Sequence, residues 1–246
     1  MSRFFIEPEQ IQGDRIYIRG TDVNHIKNVL RMKPGDELSL SDGETEREYR
    51  VGILGFSEDE IECELRFIKE ASVELPCKVY LFQGLPKQDK MELVIQKAVE
   101  LGAYCIVPVA MSRCVVKLDD KKKQSKTARW QAICEAAAKQ SKRGLIPQVM
   151  PVMDFDEALE LAKELDVKLL PYELAEDIDT TRKIIEKIEP GQRVGIFIGP
   201  EGGFDPKEVE AAKKTNFIPI TLGRRILRTE TAGMAVLSIL MYCLEK

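Results

Sequence analysis

The apolar positions of the chain change period at about residue 73. Before it they come in short alternating runs, Arg3–Ile6, Arg15–Arg19, Glu37–Ser41, Glu48–Leu54 and Ile61–Ile68. Alternation of this kind marks strands with one buried face. Gly13-Asp14, Pro34-Gly35-Asp36 and Asp42-Gly43 separate them as turns. One helix is predicted among them, Asp22–Met32, with Val23, Ile26, Val29 and Leu30 on one side and Pro34-Gly35 as its stop. Hairpins in this order predict a small β-barrel over 1–72.

After that point strands and helices alternate. The predicted strands are Lys78–Gln83, Tyr104–Val109, Val167–Leu170, Arg193–Ile198 and Phe217–Leu222. The predicted helices are Lys90–Leu101, Ser125–Ser141, Asp156–Leu165, Thr180–Ile188, Pro206–Lys214 and Thr229–Leu244. Arg193–Ile198 is apolar almost throughout, as a strand buried on both faces must be. The pattern predicts an α/β domain with a parallel sheet over 73–246.

Charge changes the picture. The 37 basic and 41 acidic residues leave a net −4, which by itself argues against a nucleic-acid partner. The distribution argues the other way, since 1–72 carries −6 and 73–246 carries +2. Within 113–143, Arg113, Lys117, Lys121, Lys122, Lys123, Lys126, Arg129, Lys139, Lys142 and Arg143 face only Asp119, Asp120 and Glu135, a local +7. The imbalance reads as a phosphate-tracking strip in preference to a solvated helix face. Trp130 reads as core, not as a stacking platform.

Several classes are excluded. The longest apolar stretch, Ala232–Leu244, has 13 residues with Ser238 inside it, short of the ~20 that a membrane-spanning helix needs. The start of the chain lacks a signal-peptide layout, with Glu7 and Pro8 arriving early. Six cysteines without a CxxC, and a single histidine, His25, leave no Cys/His metal site. A reduced, cytoplasmic chain is expected. His25 reads as structural, with a base contact as its alternative.

Ligands of an open parallel sheet bind beyond the carboxyl ends of its strands. The loops there are Pro171-Tyr172-Glu173, Gly199-Pro200-Glu201-Gly202-Gly203-Phe204 and Gly223-Arg224-Arg225-Ile226-Leu227-Arg228. Neither GxGxxG nor GxxxxGK occurs, so nicotinamide and P-loop sites are unsupported. The glycine run is either a plain strand-to-helix turn or a place of close backbone approach to a ligand. The arginines stand beside a helix start where Glu230 is expected to cap, leaving them for a partner; pairing with surface acids is the alternative. Gln140 and Arg143 lie where a long helix ends.

These residues together resemble a known family. Gly199-Pro-Glu-Gly-Gly-Phe, Leu222-Gly-Arg-Arg-Ile-Leu-Arg-Thr-Glu-Thr-Ala, Gln96-Lys-Ala-Val-Glu-Leu-Gly, Glu135-Ala-Ala-Ala-Lys-Gln-Ser, Arg3-Phe-Phe and Val29-Leu-Arg-Met-Lys-Pro-Gly-Asp look like the RsmE family. Its members are 16S ribosomal RNA (uracil-N3)-methyltransferases of the SPOUT superfamily. The resemblance implies a PUA-like barrel for 1–72 and an α/β methyltransferase domain with a deep trefoil knot for 73–246. It implies a homodimer that uses S-adenosylmethionine, no metal, and a target uridine in the 3′ decoding region of 16S rRNA of the small ribosomal subunit. By position, cofactor contact falls to Leu170, Pro171, Ile198, Gly199, Pro200, Glu201, Gly202, Leu222, Gly223, Ile226, Leu227 and Arg228. Ribose-methylating relatives carry Ser-Leu-Asn before their last helix; Leu227-Arg-Thr-Glu stands here instead and favours base methylation.

Loss of the N3 proton spreads negative charge over uracil N3, O2 and O4, which a nearby cation stabilises. Arg228 and Arg143 are the candidates for that cation, and Gln140 for orienting the base. Glu230 is a helix cap, or a general base as the alternative. N3 lies on the pairing edge, so the base must be unpaired when it reacts. RNA contact is expected from Arg3, Arg31, Lys33, Lys117, Lys121, Lys122, Lys123 and Lys142. Methylation of another RNA or of a ribose hydroxyl, and a non-catalytic ribosome-assembly role, remain as alternatives. The last helix, with small residues from Thr231 to Ala235, is the expected dimer element, ordinary burial being the alternative.

Overall fold

The computed structural model of the chain describes residues 3–70, 73–175 and 177–245. The boundary expected after residue 72 lies outside the described residues. The chain forms two units, one of Met1–Glu74 with Ala138–Ile146, the other of Leu75–Ala137 with Pro147–Lys246. The segment 138–146, which the sequence leaves with the second domain, thus clusters with the first.

The first unit is a six-stranded sheet built from β1 (Arg3–Phe5), β2 (Ile11–Gln12), β3 (Arg15–Arg19), β4 (Glu37–Ser41), β5 (Arg47–Phe56) and β6 (Glu60–Glu70). Its order is β1-β4-β5-β6-β3-β2, antiparallel except for the β1–β4 pair. The alternating apolar residues predicted from the sequence close its core, with Ile16, Ile18, Leu38, Leu40, Val51 and Ile61 buried. The predicted helix is shorter than expected. Helix α1 covers only Thr21–Asn24, and a π-turn over His25–Val29 follows. The wider π-turn shifts the period, so Val23 and Ile26 stay buried while Val29 becomes 65% exposed. His25 is exposed and sets its ring edge-on to Phe4.

Segment 138–146 belongs to this unit through specific bonds. Ser41 donates to the Gly144 carbonyl at 2.8 Å, and Gly43 bridges Leu145. The Arg3 guanidinium donates to the Lys142 carbonyl and pairs with Glu48 at 2.7 Å. Glu48 also accepts from Ser39 and pairs with Arg50 at 2.6 Å.

The second unit has the strands β7 (Lys78–Gly84), β8 (Cys105–Ala110), β9 (Gln148–Val149), β10 (Met153–Asp154), β11 (Val167–Pro171), β12 (Arg193–Ile198) and β13 (Ile218–Ile220). Their order is β10-β8-β7-β12-β11-β13, with β9 beside β8 and every pair parallel. Helices α2 (Lys90–Glu100), α3 (Asp120–Ser141), α4 (Phe155–Ala162), α5 (Ile178–Glu186), α6 (Pro206–Lys214) and α7 (Thr229–Leu244) connect or flank them. Phe82, Phe197 and Phe217 fill the core at the sheet's centre. Trp130 is buried, as expected. Helix α7 buries Val236, Leu237 and Leu240 on its own unit, against α2 and β12. Among the described residues no helix is long and apolar enough to cross a membrane, and no His/Cys/Asp/Glu cluster has a metal-binding arrangement.

Candidate active site

Strands β11, β12 and β13 run parallel, so the loops after them emerge at one edge of the sheet. Those loops converge on a cavity of about 480 Å³. Pro171, Tyr172 and Glu173 supply one wall, Ile198–Phe204 a second and Thr221–Thr229 a third. Lys90 and Ala232 complete the lining. Of the residues to which the resemblance gives cofactor contact, Pro171, Ile198, Gly199, Pro200, Glu201, Gly202, Leu222, Gly223, Ile226, Leu227 and Arg228 line this cavity. Leu170 does not. Its side chain is fully buried within β11, as is that of its neighbour Leu169.

Local chemistry holds each wall. The glycine loop ends at Asp205, whose carboxylate accepts from the Lys207 amide at 3.0 Å, while Glu208 reaches back to the Asp205 amide. This capping box, with Pro206 in the first turn, fixes where α6 starts and so where the loop must turn. From the other side, β7 ends at Gly84, where a Cβ would lie 2.7 Å from the Pro200 nitrogen. Only glycine lets the two backbones approach this closely. The arginine loop opens with Gly223 at φ +112, a conformation that residues with a Cβ rarely adopt.

Polar residues that the sequence reading passed over tie the walls together. Gln83, fully buried at the end of β7, donates to the Thr229 hydroxyl at 2.8 Å. Thr229 in turn donates to the Gly199 carbonyl at 2.6 Å. Lys90 bridges Glu201 at 3.1 Å and Glu230 at 3.3 Å. The Glu201 carboxylate also accepts from the Lys87 amide at 3.0 Å. Burial pushes the Glu201 carboxyl up, but the backbone amides and Lys90 more than offset it, so it titrates below its ordinary value. The hydrogen bond to Glu201 raises the Lys90 ammonium in turn. The legible signals were a lone polar residue closing an apolar strand and a lysine opening a helix. Glu230 does not cap α7 as expected. The N-cap is Arg228, without a side-chain cap bond, and the Glu230 carboxylate engages Lys90 instead.

The expected catalytic residues separate. Arg228 is exposed and lines the cavity. Arg143 is not among the residues that line it. Its side chain is 5% exposed and its guanidinium holds Glu74 through Nε at 3.0 Å and through Nη2, within the first unit. An arginine kept from water by a carboxylate is held as a structural group, so within this chain Arg143 is engaged by Glu74. Gln140 is exposed in the first unit and does not line the cavity.

The expected RNA contacts divide as well. Arg3 is engaged by Glu48 and the Lys142 carbonyl. Arg31 and Lys33 are exposed, the former at φ +54. The +7 of 113–143 is largely cancelled in space. Arg113 pairs with Asp205, Lys126 with Asp89, Arg129 with Glu92, Lys139 with Asp22 and Arg143 with Glu74, all acids from outside the window. Lys122 and Lys123 pair with Asp119 and Asp120. Lys117, Lys121 and Lys142 are exposed and have no acidic partner among the described residues. At the cavity rim the reverse holds. Arg224, Arg225 and Arg228 are exposed, and their side chains have no ion-pair or hydrogen-bond partner among the described residues.

Residues 73–241 match the family described as RNA methyltransferase domain, and residues 18–65 the family described as RNA methyltransferase PUA domain. The chain is 38% identical to the ribosomal RNA small subunit methyltransferase E of Bacillus subtilis (strain 168), over 100% of this chain and 98% of that protein. It is 35% identical to the protein of the same name from Mesomycoplasma hyopneumoniae (strain 232), over 97% of this chain and 98% of that one. The solved ribosomal RNA small subunit methyltransferase E from Neisseria gonorrhoeae, bound to S-adenosyl methionine, superposes with a TM-score of 0.82. It is 31% identical and covers 98% of this chain and 96% of its own.

Proposed function

Because the chain belongs to the ribosomal RNA small subunit methyltransferase E family of RNA methyltransferases, we propose that it methylates uracil N3 of one uridine in the 3′ decoding region of 16S rRNA, with S-adenosylmethionine as donor. The observation that carries the reading is the convergence of three strand-end loops on one cavity, with arginines at its rim that have no partner among the described residues. The cavity suits the donor. Its volume, about 480 Å³, is in the usual range for small-molecule sites. Ile198, Leu222 and Leu227 offer apolar surface for an adenine ring, and Gly199, Gly202 and Gly203 bring backbone to the cavity with no side chain in the way. When bound, S-adenosylmethionine supplies a methyl group carried on a cationic sulfur.

The chain's own part is to bind, align and stabilise. Pro171, Ile198–Gly202, Leu222, Gly223 and Leu227 hold the donor. The bond series Gln83–Thr229–Gly199 and the Lys90 bridge keep the walls at fixed spacing, which sets the alignment on which such a transfer depends. Arg228 places its positive charge beside uracil O2 or O4 as the N3 proton leaves. The trefoil threading belongs to this proposal, as do a homodimer and a cytoplasmic location. Ile239 and Tyr242 on α7 and Leu93 on α2 remain exposed and support an interface between two copies.

The test is mass spectrometry of nucleosides from unmodified small-subunit rRNA treated with the protein and S-adenosylmethionine. N3-methyluridine is the expected product. A methyl group on a ribose, on another base or nowhere overturns the reading.

A further inference from the structure

We infer that the loop 223–228 is the RNA-gripping edge of this site: Arg224 and Arg225 each take a backbone phosphate beside the target nucleotide, and Ile226 packs against the extruded base. The inference rests on the methyltransferase reading and extends it to residues that the donor does not need.

The first ground is charge. Among the described residues most other arginines find an acid, as Arg113, Arg129 and Arg143 do, while Arg31 and Arg47 stand singly. Three arginines in five residues without one repel each other, and only an anion from outside relieves that repulsion. The acids nearby do not serve. Glu201 and Glu230 are both engaged with Lys90, and Glu173, on the opposite wall, carries a single charge. S-adenosylmethionine does not serve either, because its sulfonium and ammonium outweigh its one carboxylate. A polyanion does, and nucleic-acid affinity comes chiefly from neutralising backbone phosphates.

The second ground is Ile226. It lines the cavity, yet it is 84% exposed, while its neighbours Leu222 and Leu227 are half-buried. An isoleucine held in water between Arg225 and the Leu227-Arg228 pair is left largely uncovered by the described residues. Apolar side chains flanked by cations wedge against unstacked bases in nucleic-acid complexes, and N3 chemistry requires an unstacked base. The third ground is the backbone. Gly223, at φ +112, has no atom within 4 Å of where its Cβ would stand, and Gly223 to Ile226 are all exposed, so the segment is open to a strand of RNA. Single-stranded RNA is therefore the occupant, and Ile226 moves from the cofactor side to the substrate side.

The experiment uses the full chain and a labelled, uridine-containing single-stranded RNA, titrated at several salt concentrations. Donor affinity is measured by calorimetry and methylation of small-subunit rRNA under single-turnover conditions. R224A/R225A is expected to flatten the slope of log affinity against log salt by about 1.4, the share of two phosphates on a single strand. R224K/R225K restores it, since an ammonium neutralises a phosphate as well. I226S is expected to slow single-turnover methylation by about tenfold, the worth of one buried branched side chain. Donor affinity stays at the wild-type value in all three. An unchanged salt slope, a loss confined to donor binding, or dissociation of a dimer by sedimentation overturns the inference. A wild-type protein that never methylates rRNA, while R224A/R225A still flattens its RNA salt slope, strikes the parent reading and leaves the grip standing.

Discussion

Arg143 and Arg228 both flank a helix end, and their surroundings give them opposite duties. In the first unit, Arg143 and Arg3 sit with side chains only 5% and 8% exposed, each against a carboxylate shielded to the same degree. At the cavity rim of the second unit, Arg224, Arg225 and Arg228 are exposed with no ion-pair partner among the described residues. A guanidinium leaves water only when a carboxylate and hydrogen bonds replace its hydration, so a buried arginine is already occupied. An exposed arginine without an acid keeps its donors for a partner. Residue type was the same in both regions; the position of the nearest acid decided the role.

The contrast is broken most directly at Arg143. Arg143→Ala leaves Glu74 buried without its partner, and removal of one member of such a pair costs about 3–5 kcal/mol. The urea midpoint should fall accordingly, with methylation by the protein that remains folded close to normal. Loss of activity at unchanged stability would return Arg143 to the reacting base. Arg228→Ala should behave in the opposite way. Its single-turnover rate should drop about 10²–10³-fold, the usual worth of one donor to a developing anion, with the urea midpoint unmoved. A rate near wild type would end its assignment.

The smallest effect concerns Glu48 and appears only in acid. Burial pushes its carboxyl up, but Ser39, Arg3 and Arg50 together hold it below its ordinary value of 4.5. A depressed carboxylate contributes stability that is complete above the unfolded value and is lost as pH falls through the folded one. Wild-type stability should therefore decline as pH drops below about 4.5. In Glu48→Gln the acid limb should be flatter and the neutral-pH stability lower. Identical acid limbs in the two proteins would show that the first unit does not draw on this pair.

Periodicity carried most of the architecture. Every long element came from alternation or a 3.6-residue repeat, and the cavity followed from the rule that ligands sit beyond parallel strand ends. The misreadings share one cause. Asp205, Glu92, Asp89, Asp22 and Glu74 are distant in sequence from the 113–143 segment, so a charge count along the chain could not cancel its +7. The π-turn at His25–Val29 escaped for a related reason: an apolar pattern fits an α-helix until one wider turn shifts its phase. Gln83 and Lys90 escaped because a single polar residue carries no period. Their roles depend on Thr229, Glu201 and Glu230, which folding brings from more than a hundred residues away.

The attachment of 138–146 to the first unit bears on how this protein can be taken apart or inherited. A polypeptide that stopped at Glu74 would lack the carbonyls that Arg3 and Ser41 engage, the strand bridge to Gly43 and the guanidinium that holds Glu74. The N-terminal sheet is thus no cassette that recombination could lift out with one cut at each end. Its last structural piece is encoded inside the catalytic half, so a gene exchanging either part must exchange both or rebuild the missing segment.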